Sequence, residues 1–214
     1  MCSDVIKAVE EHKIIVIVRG VSSEKLVPLA EAMHEGGIRL LEITYSADRS
    51  VSDEKTAENI NMLKKHFGSR MFIGAGTVLT ENQAELTKNA GGEFVISPDT
   101  VPGVIKKTKA LGMVSMPGAY TPSEITLADR CGADFVKVFP AAGLGPEYIK
   151  AVKAPLPHIR LLAVGGISLE NMEDYLKSGV CGFGIGGSLV NKKLIDGGDF
   201  AEITNLAKKY VSLV

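Results

Sequence analysis

Two ionisable side chains lie within apolar stretches of the sequence, where a charge is costly to bury. Lys137 stands in FVKVFP (residues 135–140) and Glu42 in LLEIT (residues 40–44). Burial lowers the pKa of a lysine, whose free amine then attacks a carbonyl carbon, and a nearby carboxylate can move the protons of that reaction. Simpler interpretations exist: Lys137 as a strand-end amine reaching solvent, and Glu42 as an ion-pair partner. Together, the two residues predict covalent lysine catalysis.

Two glycine doublets follow late apolar runs. Gly165 and Gly166 close the seventh run, and Gly187, with Ser188 after it, closes the eighth. Backbone N–H groups in such turns bind phosphate, and parallel barrels commonly place a phosphate site after strands seven and eight. The alternative is that the glycines are needed only for tight turns. A dinucleotide fingerprint is not supported, because no early βαβ unit carries GxGxxG.

Polar residues also end the earlier apolar runs. Arg19 ends the first run, where its guanidinium could bind a substrate carboxylate with two hydrogen bonds or form a surface salt bridge. Thr77 ends the third run and Ser97-Pro98 the fourth, and each is also consistent with simple turn chemistry.

The elements that must position these residues alternate along the whole chain. Eight β-rich runs, at residues 14–18, 39–44, 71–75, 93–97, 113–116, 134–139, 160–164 and 180–185, are separated by amphipathic helical stretches. Nearly continuous apolar runs suit parallel strands that are covered on both faces. Because no linker divides the eight units, residues 1–214 are predicted to form a single-domain (β/α)8 TIM barrel. An open doubly wound sheet is the competing interpretation.

A weak repeat gives this barrel a register. A glycine suited to a left-handed helix end precedes strands two, four, six and eight. Alternate strands of such a barrel supply one layer of four inward side chains. Counting five residues beyond Gly37, Gly92, Gly132 and Gly179 predicts a layer that contains Glu42, Ser97, Lys137 and Gly184.

Composition excludes several classes of protein. The 214 residues are 45% hydrophobic with a formal net charge of −1, which gives no reason to expect nucleic acid or an anionic membrane as a partner. No apolar run approaches the ~20 residues of a membrane span, and residues 1–13 lack the apolar core of a signal peptide. Three widely spaced cysteines, an odd number without a CxxC motif, fit a reducing compartment, so a cytoplasmic location is expected. Four histidines without ligand spacing predict no bound metal.

Taken in order along the chain, these motifs resemble one family, the 2-keto-3-deoxy-6-phosphogluconate (KDPG) aldolases, which often also act as 4-hydroxy-2-oxoglutarate (KHG) aldolases. The resemblance implies a class I aldolase that needs no metal or cofactor and is typically a homotrimer. It implies that Lys137 forms the Schiff base and that Glu42 is the acid/base. It assigns further residues to the phosphorylated keto acid substrate: Arg19, Thr44, Thr77, Pro98, Phe139, Gly165, Gly166, Gly187 and Ser188.

Two departures from the family pattern bear on specificity. Several relatives carry an arginine for the pyruvyl carboxylate where this chain has Ser46, so Arg19 is expected to replace it. Many members also have a threonine where this chain has Val164.

The predicted reaction is cleavage of KDPG to pyruvate and glyceraldehyde 3-phosphate. KHG, cleaved to pyruvate and glyoxylate, is predicted as a second substrate. The alternatives are a 2-keto-3-deoxy-6-phosphogalactonate aldolase and a non-catalytic sugar-phosphate binding barrel.

Overall fold

Parallel strands form the centre of the protein. The computed structural model describes residues 2–214, and Met1 of the predicted domain lies outside the described residues. The strands are β1 (Ile14–Val18), β2 (Leu40–Thr44), β3 (Phe72–Gly76), β4 (Phe94–Ile96), β5 (Val114–Met116), β6 (Gly118–Ala119), β7 (Val136–Val138), β8 (Leu161–Val164) and β9 (Gly182–Ile185). They correspond to the eight predicted runs, except that β6 lies beyond residue 116, where the fifth run was predicted to end; β5 and β6 are two parts of one strand. Pro117, which has no N–H to donate to a ladder, separates these two parts.

Helices alternate with the strands and surround them. They are α1 (Cys2–His12), α2 (Ser23–Glu35), α3 (Asp53–Phe67), α4 (Glu81–Asn89), α5 (Pro102–Ala110), α6 (Pro122–Arg130), α7 (Gly145–Lys153), α8 (Met172–Lys177), α9 (Lys192–Gly197) and α10 (Phe200–Val211). Polar caps fix several of the starts. Thr121 and Glu124, for example, form a reciprocal capping box at the start of α6.

The sheet closes on itself. The strand order is β5-β4-β3-β2-β1-β9-β8-β7-β6, and every pairing is parallel. The two ends of this order belong to the same broken strand. Hydrogen bonds from Asp134 N to Ser115 O (2.9 Å) and from Lys137 N to Pro117 O (2.9 Å) join that strand to its last neighbour. The predicted (β/α)8 barrel is therefore confirmed, and the open sheet is excluded.

Two apolar layers hold the barrel together. The outer layer lies between strands and helices, whereas a smaller inner cluster contains Ile15, Leu40, Phe94 and Leu162 from four different strands. Val5, Ala8 and Val9 of α1 belong to the same inner cluster, so this amphipathic helix closes the barrel at one end. No helix within residues 2–214 is both long enough and apolar enough to cross a membrane.

The predicted inward layer is correct at three of its four positions. Ile96, and not Ser97, belongs to the inner cluster, while Val95 packs in the outer layer. The prediction failed because it counted from the wrong glycine of a doublet. Gly91 takes the left-handed φ of +88°, so the fifth residue beyond it is Ile96. Ser97 instead donates a hydrogen bond of 2.7 Å from its hydroxyl to Val78 O.

Candidate active site

A cavity of about 600 Å³ opens at the carboxyl ends of the strands, where barrels of this type carry their sites. Ten of the eleven predicted site residues line it: Arg19, Glu42, Thr77, Pro98, Lys137, Phe139, Gly165, Gly166, Gly187 and Ser188. The eleventh, Thr44, does not line this cavity. Its hydroxyl donates to Val18 O at 3.3 Å, and it borders a neighbouring cavity.

Lys137 projects from the middle of β7 into the barrel and is 6% exposed. Its Nζ lies 4.7 Å from the centroid of the Phe139 ring, which covers the amine from the end of the same strand. Burial lowers the pKa of Lys137, and the carboxylate of Glu42 opposes this shift only in part. The amine is therefore available in its unprotonated, nucleophilic form at a lower pH than an exposed lysine would be.

Glu42 occupies the matching place on β2 and is 1% exposed. Space for its carboxylate comes from β3, because a Cβ at Gly76 would collide with Glu42 Oε1. Glu42 Oε2 has no hydrogen-bond partner in the part of the chain described. Burial raises the pKa of Glu42 to about 6, although Lys137 and Arg19 both act to lower it. A carboxyl group with this pKa can both donate and accept a proton near neutral pH.

Arg19 and Thr77 meet across the mouth of the cavity from strands β1 and β3. Arg19 Nη2 donates to Thr77 Oγ1 at 3.1 Å, so the guanidinium has a side-chain partner inside the site. Thr77 has a φ of +54°, a conformation that a β-branched residue rarely adopts and that costs about 1–3 kcal/mol. Such strain is found mostly at functional sites, and here it belongs to a hydroxyl that faces the cavity.

Gln83 of α4 holds the loop that contains Thr77. Its Oε1 accepts a hydrogen bond of 2.8 Å from Leu79 N, and its Nε2 donates to both carboxylate oxygens of Asp53 at 3.1 and 3.2 Å. Ser97 fixes the same loop from the other side through Val78 O. These contacts oppose relaxation of the strained backbone at Thr77. Gln83 was not predicted from the sequence, because its contact with Asp53 joins α4 to a residue 30 positions away on α3.

The two glycine doublets differ in the structural reason for having glycine at these positions. Gly165 and Gly166 have φ values of +91° and +77°, so their conformation alone disfavours other residues. At Gly187, by contrast, φ is not in the left-handed region and a Cβ would meet no heavy atom within 4 Å. Within residues 2–214 the N–H groups of Gly187 and Ser188 have no acceptor. The turn interpretation therefore does not explain Gly187, whose backbone is open to a ligand.

The remaining lining residues are mostly apolar. Val164 faces the cavity, and Gly184 lies beside it, because a Cβ at Gly184 would press on the Val164 side chain. Ser188 Oγ donates to Ile167 O at 3.0 Å and so ties the two glycine loops together. No set of three or more His, Cys, Asp and Glu side chains in residues 2–214 is placed to hold a metal ion.

Known proteins are similar to this chain in sequence and in fold. The model of the KDPG and KHG aldolase family matches residues 5–206. The chain is 38% identical over 180 residues to the probable 2-dehydro-3-deoxy-6-phosphogalactonate aldolase of Rhizobium meliloti (strain 1021), covering 84% of this chain and 82% of that protein. It is 32% identical over 214 residues to the 2-dehydro-3-deoxy-phosphogluconate aldolase of Haemophilus influenzae, covering 98% and 96% of the two chains.

A solved structure agrees with the sequence relatives. The KDPG aldolase of Legionella pneumophila, with pyruvate captured at low pH as a covalent carbinolamine intermediate, is 28% identical and has a TM-score of 0.85. The match covers 95% of this chain and 96% of that one. The chain belongs to the KDPG and KHG aldolase family, and it is a carbon–carbon lyase.

Proposed function

We propose that Lys137 forms a Schiff base with the C2 ketone of a 2-keto-4-hydroxy acid. The buried amine attacks the carbonyl carbon, and loss of water from the carbinolamine gives a protonated imine. This imine accepts the electron pair of the C3–C4 bond when that bond breaks, and an aldehyde leaves. The resulting enamine is protonated at C3 and hydrolysed, which releases pyruvate and regenerates the amine. The observation that carries the proposal is the nearly buried lysine in a cavity that also contains a carboxyl group.

Glu42 moves the protons of this sequence. Its carboxylate takes the proton of the C4 hydroxyl as the C3–C4 bond breaks, and its acid form supplies the proton that carbinolamine dehydration needs. Both roles require a pKa close to the working pH, and burial raises the pKa of Glu42 to about 6. The unpaired Oε2 leaves one acceptor position for the substrate hydroxyl or for a water molecule.

The cavity has cationic and N–H-rich parts for the two ends of the substrate. We assign Arg19 and Thr77 to the pyruvyl carboxylate. Position 46, which is an arginine in several relatives, is a serine in this chain, so Arg19 supplies the guanidinium instead. The loops that contain Gly165, Gly166, Gly187 and Ser188 would bind the phosphate through backbone N–H groups. Pro98 and Phe139 form apolar walls between these parts.

KDPG is the substrate that we favour, with KHG as a second substrate. The phosphogalactonate isomer is a specific alternative, because it differs from KDPG in the configuration at C4, one of the two carbons of the bond that breaks. Val164 has no hydroxyl to offer the aldehyde part, and the Rhizobium meliloti relative is named for the galactonate compound.

We also propose that residues 1–214 form a single cytoplasmic domain. The family resemblance implies that this domain assembles as a homotrimer, and light scattering would measure the assembly.

Borohydride trapping tests the Schiff base directly. Reduction in the presence of pyruvate should add a three-carbon adduct to Lys137, located by peptide mass mapping. Lys137→Met should lose the adduct and the activity together while keeping the circular dichroism of the parent. Full adduct formation on another lysine would contradict the proposal. Pyruvate release from KDPG, its galactonate isomer and KHG would then rank the substrates.

A further inference from the structure

A second cavity lies beside the catalytic one. It measures about 640 Å³ and lies over the carboxyl ends of β1 and β2, between the first turns of α2 and α3. Arg19 and Thr77 line both cavities, so the two spaces meet at this pair. The proposed mechanism uses only the catalytic cavity. Short hydroxylated side chains, including Ser46 and Ser50, line the second one and leave it open.

Asn59 of α3 contributes an unused amide to this cavity. Its side chain is 9% exposed, and its Oδ1 accepts a hydrogen bond of 2.8 Å from Ser23 Oγ. Within residues 2–214, no acceptor is present for Asn59 Nδ2. Asn59 Nδ2 is open to the cavity, because Glu42 Oε2 is the only fully enclosed side-chain N or O atom without a partner in residues 2–214, so an acceptor atom of a ligand can bind this donor.

Positive groups border the same space. Arg19 and the half-exposed Lys55 both line it, and Lys55 Nζ also contacts Glu58 Oε2 at 3.1 Å. The N-terminus of α2 points its positive dipole end here, and Ser22 at the cap position makes no side-chain hydrogen bond to the first turn. Asp48 is the carboxylate of the lining, and its Oδ1 already accepts hydrogen bonds from Ser46 Oγ, Ser50 Oγ and Ser50 N.

We propose that this second cavity is a site for a small oxyanion, a phosphate or carboxylate group, bound by Arg19, the Asn59 amide and the first turn of α2. An anion bound there shares the guanidinium of Arg19 with the catalytic cavity. It therefore weakens binding of the pyruvyl carboxylate, and free oxyanion raises the KM of the substrate. The binding itself is independent of the proposed function, whereas the effect on KM rests on it.

Inorganic phosphate is a suitable probe, read by NMR on uniformly ¹⁵N-labelled protein. All measurements are made in a protein that carries Gly187→Asp, because this carboxylate repels phosphate from the catalytic loops. Phosphate can then bind only in the second cavity. We expect phosphate to shift the Asn59 side-chain signal and the amide signals of Ser46 and Ser50. Acetate in a parallel titration tells whether a carboxylate also binds.

Asn59→Asp is the decisive variant, because the carboxylate still accepts from Ser23 but repels an anion and lacks the donor. It should weaken phosphate binding by about tenfold or more. Asn205→Asp, the same change on α10 and outside both cavities, is the matched control and should bind as the parent does. Lys55→Gln, a change at the surface, gives a second weakened variant should Asn59→Asp lose the fold.

Two results would overturn the proposal: no phosphate-induced shift at Asn59, Ser46 and Ser50, or equal affinities in Asn59→Asp and Asn205→Asp. Because these are measured without turnover, they do not depend on the aldolase assignment. A further measurement with KHG in the same background should show phosphate raising KM in the Asn205→Asp protein and not in Asn59→Asp. If phosphate binds in the second cavity without raising KM, only the claim that both cavities use the guanidinium of Arg19 is refuted.

Discussion

Replacing Glu42 by glutamine separates the chemical role of this residue from the cost of burying it. Glu42→Gln keeps the shape of the side chain in the space beside Gly76 but cannot exchange a proton. If Glu42 is the acid/base, kcat should fall by about 10²–10⁴-fold, because general acid/base catalysis contributes about that much. Imine formation with pyruvate should become slower without disappearing, since Lys137 remains.

The same change should stabilise the fold in a pH-dependent way. Burial raises the pKa of Glu42 from 4.5 to about 6, so the folded protein holds this proton more tightly than the unfolded chain. The stability of the parent therefore falls as the pH rises through this interval, and the loss is complete above it. A shift of this size corresponds to about 2 kcal/mol. The amide cannot ionise, so the advantage of Glu42→Gln should grow over the same interval and then stay constant.

Urea unfolding near pH 4.5 and near pH 8, together with kcat and the rate of borohydride-trappable imine, measures both effects. The difference in unfolding free energy between variant and parent should be up to about 2 kcal/mol larger at the higher pH. A difference that is equal at both pH values would refute the burial argument. If kcat and the imine rate stay within about threefold of the parent, less than 1.4 kcal/mol in barrier, another group moves the protons.

Three further substitutions test the positions of the other groups. Arg19→Ala should raise KM for pyruvyl substrates by about tenfold or more through loss of a charged hydrogen bond, and Ser46→Arg in the same protein should restore part of it; unchanged kinetics would leave Arg19 no role in binding. Gly187→Asp should lower kcat/KM by about 100-fold for KDPG and little for KHG, because its carboxylate repels phosphate; equal losses would contradict a phosphate site. Gln83→Glu should raise KM by repelling Asp53, and adding Asp53→Asn should restore it; a fall in Tm without a change in KM would make Gln83 merely structural.

Local patterns in the sequence were sufficient to predict the barrel and its two catalytic candidates. Apolar runs of the right length, separated by capped amphipathic helices, leave few arrangements other than parallel strands covered by helices. Alternation along a strand then places Glu42 and Lys137 on the inner face, because successive side chains point to opposite faces. Counting from the left-handed glycines before β2, β7 and β9 predicted correctly which residues of these strands face inward.

The predicted inward residue was wrong only on β4, where the sequence offers two adjacent glycines as the end of the preceding helix. Gly91 and Gly92 could each have ended α4, and the sequence alone does not say which one adopts the left-handed conformation. In the folded chain a Cβ at Gly92 would approach Thr87 O to 2.9 Å, while Gly91 has the φ of +88°. The close approach of Gly92 to the last turn of α4, with Gly91 in the left-handed conformation, therefore sets the register in which Ile96, and not Ser97, faces inward.

The properties of the site that control its chemistry depend on contacts between distant strands. The pKa of Glu42 depends on a space that Gly76 provides from another strand, and Arg19 reaches Thr77 across 58 positions of the chain. The sharing of Arg19 between two cavities follows from the same closure. Residue types and their spacing thus determined which groups could react, because periodicity is local. Only the closed barrel determined their distances, burial and charge, because these depend on side chains that the sequence places far apart.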